Sequence, residues 1–239
     1  MMAKKSFWKL PAALAISTAL VFASCGGNDS SGIPVTDAGL GTSLEARTLS
    51  GDVYVWDAKG SLVPFKPSAA IPDITSNDLL SGAAGAISAQ GQFSFILPQP
   101  LPADTPLAPF AQVIDMEDMP VSISNANAMG FAVLGFDSPG IWTPAANLYE
   151  GWLFRGNSGA NFWEGVNFIY VDRDVTVALS QEFSEADYNG DPYTIIPFTI
   201  NFSKGWNILH FKEVPAHNGS AITVRGGEPA GLKWILNIF

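Results

Sequence analysis

The sequence predicts an all-β protein: an antiparallel β-sandwich behind a flexible tether, with room for two packed β subdomains. Three observations predict it. From Leu49 onward, short runs of β-branched and aromatic residues alternate in polarity between clusters of Gly, Pro, Asn and Asp. In the second half these runs recur at the close spacing of an antiparallel sandwich. A long amphipathic helix pattern is missing from the chain, and Thr75 to Ser81 is the one stretch suited to a helical turn or two.

Taken in order, Leu49 to Trp56 is expected to form a strand. A turn at Asp57-Ala58-Lys59-Gly60 and a return through Leu62, Val63 and Phe65 follow it. Ala86 to Ser88 and Phe93 to Leu97 flank Gln90-Gly91-Gln92 and suit a hairpin. Pro98, Pro100, Pro102, Pro106 and Pro109 then interrupt regular structure, because proline cannot donate to a sheet ladder. Ile196, Phe198, Ile200 and Phe202 alternate with Pro197, Thr199, Asn201 and Ser203, which predicts a strand with one core face. Val166 to Val171, Val175 to Leu179, Trp206 to Val214, Ala221 to Val224 and Leu232 to Ile238 complete the set.

The amino terminus has a different character. Lys4, Lys5 and Lys9 lead into an apolar run from Leu10 to Phe22 that ends Phe22-Ala23-Ser24-Cys25-Gly26-Gly27. The run is shorter than the ~20 residues that cross a bilayer, and its basic start and small-residue end suit a processed signal. The pattern resembles the lipobox of bacterial lipoproteins. That resemblance implies cleavage before Cys25, acylation of the Cys25 thiol with palmitate-like chains, and a membrane anchor. Residue 26 is Gly in place of the Asp that retains lipoproteins in the inner membrane, so the resemblance favours an outer-membrane address in the cell envelope. The organisation predicted is a signal peptide over 1–24, a lipid-anchored tether over 25–45, a small β subdomain with a Pro-rich end over 46–110, and the antiparallel sandwich over 111–239. Gly26 to Gly32 and the polar sequence up to Ser43 would hold the fold on the order of 20–25 Å from the membrane.

Charge and cysteine usage narrow the chemistry. The chain has 12 basic and 22 acidic residues, and residues 1–24 hold three of the basic and none of the acidic ones, so the mature part is strongly acidic. Such a surface repels nucleic acid, and no Lys/Arg cluster follows Lys9. Cys25 is the single cysteine, which excludes an intramolecular disulfide and a thiolate metal cage.

Two further resemblances concern the folded part. Gly51-Asp52-Val53-Tyr54-Val55, with Gly91 to Phe95, resembles the small transthyretin-like β-sandwiches of bacterial surface proteins. Val166 to Val177 and Ile200 to Asn207 resemble a segment of uncharacterised β-rich lipoproteins of spirochaetes and Bacteroidota, a resemblance that implies no activity.

Candidate site residues are few. Asp187, Asn189 and Asp191 place oxygen ligands at alternate positions, as calcium loops do. However, Pro192 stands where such a loop needs its glycine, and Asn189-Gly190 is also a turn signal. The acidic runs Asp172 to Asp174 and Asp115 to Asp118 suit solvated loops, or the carboxylates of a hydrolase. Gly156-Asn157-Ser158-Gly159 resembles the nucleophile loop of trypsin-like proteases, but His210 and His217 follow it, against that family's order, and a plain turn is the simpler expectation. His210 falls on the side of Trp206 and Ile208 and is expected to be a partly buried structural residue. Trp142, Tyr149, Trp152, Phe154, Phe162 and Trp163 crowd together; the pattern suits either core packing or a sugar-binding surface centred on Trp142, Trp152 and Trp163. The expectation is a non-enzymatic binding or envelope-structural protein with no cofactor. Its partners are the membrane, through the Cys25 lipid, and a protein or glycan ligand. A carbohydrate-binding module and a hydrolase are the alternatives.

Overall fold

The computed structural model describes residues 35–37, 47–76, 80, 83–114, 116, 119–142, 148–159, 162–187 and 190–238. Cys25 and Asn189 lie outside these. The described residues belong to one compact unit, Ile33–Phe239. It is nearly all β. The strands are β1 (Val35–Asp37), β2 (Arg47–Trp56), β3 (Leu62–Pro64), β4 (Ile71–Ile74), β5 (Gly85–Ile87), β6 (Gln92–Leu97) and β7 (Ala108–Pro109), followed by the single helical turn α1 (Phe110–Val113). After it come β8 (Val121–Ile123), β9 (Met129–Val133), β10 (Phe136–Trp142), β11 (Leu148–Gly159), β12 (Phe162–Val171), β13 (Val175–Leu179), β14 (Phe183–Ala186), β15 (Pro192–Ile195), β16 (Phe198–Phe202), β17 (Gly205–Ala216), β18 (Gly219–Gly226) and β19 (Lys233–Ile238).

The architecture is an open β-sandwich with a central sheet. Its spine runs β18-β17-β12-β11-β19-β2, and β2 also pairs β6 through its first half, continuing to β5 and β4. The change of partner along β2 falls between Asp52 and Val53, next to Gly51. Gly51 has φ +155, and a Cβ there would lie 3.0 Å from the Trp234 ring, so only glycine suits this corner.

Packing explains the layers. Leu49, Ile74, Ile87, Phe93, Phe95 and Leu97 from one arm meet Phe136, Leu153, Val166, Phe168, Ile208 and Trp234 in the first core. Phe93, Phe95, Phe136 and Trp234 form a ring cluster with centroids 4.5–6.4 Å apart. The opposite face of the central sheet presents Ile169, Val171, Leu209, Ile222 and Val224 to a second, four-stranded sheet of order β1-β16-β13-β8, whose Val175, Val177, Leu179, Phe198, Ile200 and Phe202 complete the second core. β12 packs on both faces along this stretch, with Val166 and Phe168 in the first core and Ile169 and Val171 in the second, so apolar side chains stand on both sides of it. The two stretches 46–110 and 111–239 meet in this body, since β2 pairs β19 in parallel and both stretches contribute to the first core.

Local differences from the sequence reading have physical causes. Val35–Asp37, expected within the tether, forms β1 by parallel pairing with β16. The strand expected over Ile196 to Ser203 begins at Phe198, because Pro197 cannot continue a ladder from β15. Thr75, expected to be helical, exchanges backbone bonds with Asp137 in an isolated bridge. Gly156 to Gly159 is the end of β11 and no turn, with Gly156 opposite Gly165 of β12.

Candidate functional site

Alternation along the strands sorts the chemistry-bearing residues onto the two faces of the central sheet. On the face of the second core, beyond the reach of the four-stranded sheet's contacts, aromatic residues from four strands come together. Trp152 and Phe154 of β11 lie in register with Asn237 and Ile235 of β19, and Ile235 with Tyr54 of β2, so Trp56 stands on the same face. Across β12 and β17 the same face continues through Trp163 and Phe211. Trp163 stacks on Phe211 with centroids 4.7 Å apart and planes 25° apart. Small residues make room for the rings: a Cβ on Gly165 would lie 3.1 Å from Phe211, and one on Gly135 would lie 2.5 Å from Trp152. Lys233 Nζ sits 4.6 Å from the Tyr54 ring centroid. Trp56 is 39% exposed, while Trp152, Phe154 and Trp163 are half-buried.

The expected ligand tryptophans are thus partly united. Trp152 and Trp163 share this face. Trp142 closes β10 opposite Leu148, with its side chain outside the described set. Phe162 turns to the opposite face, where Lys212 Nζ lies 4.8 Å from its ring centroid. Tyr54 and Trp56 were expected as strand residues and not as ligand candidates, because their place here depends on the parallel β2–β19 pairing. Their only signal was membership of an alternating strand.

On the first-core face, a polar belt begins where the apolar row Phe168–Ile208 ends. Arg155, Val166, His210 and Arg225 lie side by side across β11, β12, β17 and β18, and Asn157, Glu164, Lys212 and Thr223 form the next row. His210 is fully buried, more so than expected, on the predicted side with Trp206 and Ile208. Its Nδ1 accepts a hydrogen bond from Arg225 Nε at 3.0 Å. This fixes the proton on Nε2, which faces Glu164 Oε2 at 3.4 Å. Glu164 is also approached by Asn157 Nδ2 at 3.5 Å and Lys212 Nζ at 3.9 Å. Burial, followed by the Arg225 charge, pushes the His210 imidazole below its ordinary value and outweighs the opposing pull of Glu164. Arg155 Nε bonds Glu228 Oε1 at 2.8 Å.

The remaining candidates have local structural roles. Asp187 accepts the Asp191 N–H on Oδ1 at 2.9 Å, and the backbones of the two residues also bond, closing the β14–β15 hairpin. Among the described residues no group of three His, Cys, Asp or Glu side chains is gathered for a metal. Asp172 takes the Met129 N–H and the Arg173 guanidinium, and the Arg173 bond holds its carboxyl below the ordinary range. Asp174 accepts the Lys204 N–H. Of the run Asp115 to Asp118, Asp115, Glu117 and Asp118 lie outside the described residues. His217 is exposed after Pro215, in the β17–β18 turn. No family model, curated protein or solved structure matches the chain.

Proposed function

We propose that this chain is a lipid-anchored protein of the cell envelope whose β-sandwich binds a partner and does not catalyse a reaction. The observation that carries the reading is the amino-terminal pattern, in which a basic start and an apolar run end at the single cysteine, Cys25. Nine residues separate Cys25 from Val35 of β1, so the fold would stand on a short leash, on the order of 20 Å by flexible-chain scaling. Support for binding over catalysis comes from His210. Of the two histidines it is the one facing a carboxylate, yet it is buried and both its ring nitrogens are engaged, so it offers no lone pair to a substrate.

Growth of producing cells with an alkynyl palmitate tests the anchor. The wild-type protein is expected to take up the label and to partition with membranes, and Cys25→Ala is expected to do neither. Label retained by Cys25→Ala rejects the reading.

A second reading, glycan binding, is favoured by one specific observation: Trp152 and Trp163 share a sheet face with Tyr54, Trp56 and Phe154. Rings of this kind cover apolar sugar faces. Loss of binding to a neutral glycan on Trp56→Ala and Trp163→Ala supports it, and retention of binding in both rejects it.

A further inference from the structure

We propose that Arg225 presents its guanidinium fork as a binding site for a carboxylate group, oriented from below by the buried His210–Glu164 pair. The inference is independent of the acyl anchor and of the aromatic face. It rests on how the arginine is held. Arg225 is exposed on β18, and an exposed arginine ordinarily samples many rotamers. Here its Nε is fixed to the buried His210 Nδ1, and His210 is in turn fixed by Glu164, so the guanidinium plane is set by a chain that reaches into the sheet.

With Nε engaged, the edge left for a ligand is the one formed by the two Nη groups, which have no hydrogen-bond or ion-pair partner among the described residues. Two parallel N–H donors on a planar edge match the two oxygens of a carboxylate. Lys212 lies on the same face, one row along, and adds a second positive charge. Its side chain is 39% exposed, and Glu164 and the Phe162 ring hold its ammonium near the site. Charge selects the ligand further. The chain outside this patch is strongly acidic, and Glu164 adjoins the patch, so a singly charged group is tolerated where a polyanion is repelled. A neutral His210 is part of the device, because a protonated imidazole cannot accept the Arg225 Nε–H.

Saturation-transfer NMR on the full-length protein in detergent micelles tests the site, with glucuronate, acetate and glucose as probes at matched ionic strength. Glucuronate and acetate are expected to receive saturation, and glucose, which lacks the carboxylate, is expected to receive far less. Arg225→Gln should weaken glucuronate binding about tenfold or more, the worth of a charge-assisted bond. Arg225→Lys keeps the charge but not the fork and should also weaken it. Lys59→Gln removes the same charge from a remote exposed turn and should leave binding unchanged, as should Cys25→Ala, so failure of the lipid reading leaves this test intact. Absence of glucuronate binding in the wild type, full glucuronate binding in a folded Arg225→Gln protein, or an equal loss of glucose and glucuronate saturation on Arg225→Gln would overturn the proposal.

Discussion

Acidification should destabilise the fold through one buried imidazole. His210 faces Glu164 of β12 and Arg225 of β18, with Lys212 next on its own strand, and its affinity for a proton in the folded state is lowered from 6.5. The unfolded chain takes up that proton at its ordinary value, whereas the folded chain resists it. Stability is therefore complete above pH 6.5, falls as pH drops below 6.5, and levels off once the folded state is protonated as well. A single proton sets a slope of at most about 1.4 kcal/mol per pH unit. Urea unfolding midpoints at a series of pH values from about 7.5 to about 5.5 read this loss. His210→Gln should lower stability at every pH, through the burial of a poorly matched polar group, and flatten the slope. An unchanged slope in His210→Gln, or a gain in stability on acidification of the wild type, would refute the assignment.

Three further outcomes are expected. Phe136→Ala empties the centre of the Phe93, Phe95 and Trp234 ring cluster and should cost about 3–5 kcal/mol by urea unfolding. Gly219→Ala places a Cβ 1.8 Å from the Pro192 carbonyl at φ +110, so it should destabilise by at least about 1–3 kcal/mol and lower the thermal midpoint, whereas Gly60→Ala, with open space but φ +73, should cost less. The Asp187–Asp191 loop closes on its own backbone, so chelation with EDTA should leave the thermal midpoint in place, while Asp187→Ala should lower it; a calcium-dependent rise in the midpoint that Asp187→Ala abolishes would restore the calcium reading.

The fold was legible where strand periodicity is strong. Val166 to Val171, Val175 to Leu179 and Trp206 to Val214 stand in the expected places, because strands packed on one face are mainly apolar at every second position and strands packed between two layers carry apolar residues on both faces. The region from Phe136 to Gly159 was less readable. Its glycines, asparagines and aromatics suggest loops and ligand surfaces, yet they build β10 and β11, where glycine serves to seat a ring from a neighbouring strand. Such a pairing of small and large residues across strands leaves no local pattern.

The candidate sites divide along the same line. Trp152 and Trp163 could be grouped from sequence, since they lie on adjacent strands, but Tyr54 and Trp56 arrive through a parallel pairing that no spacing encodes. Likewise, the burial side of His210 followed from its register with Trp206 and Ile208. Its partners did not, because Glu164 and Arg225 come from different strands.

The most direct test of the account is the mass of the amino-terminal peptide from membrane-purified protein. A peptide beginning at Cys25 and carrying a diacylglyceryl group on the thiol is the expected result. A peptide beginning upstream of Cys25, or an unmodified Cys25 thiol, would contradict the lipid anchor on which the functional reading stands.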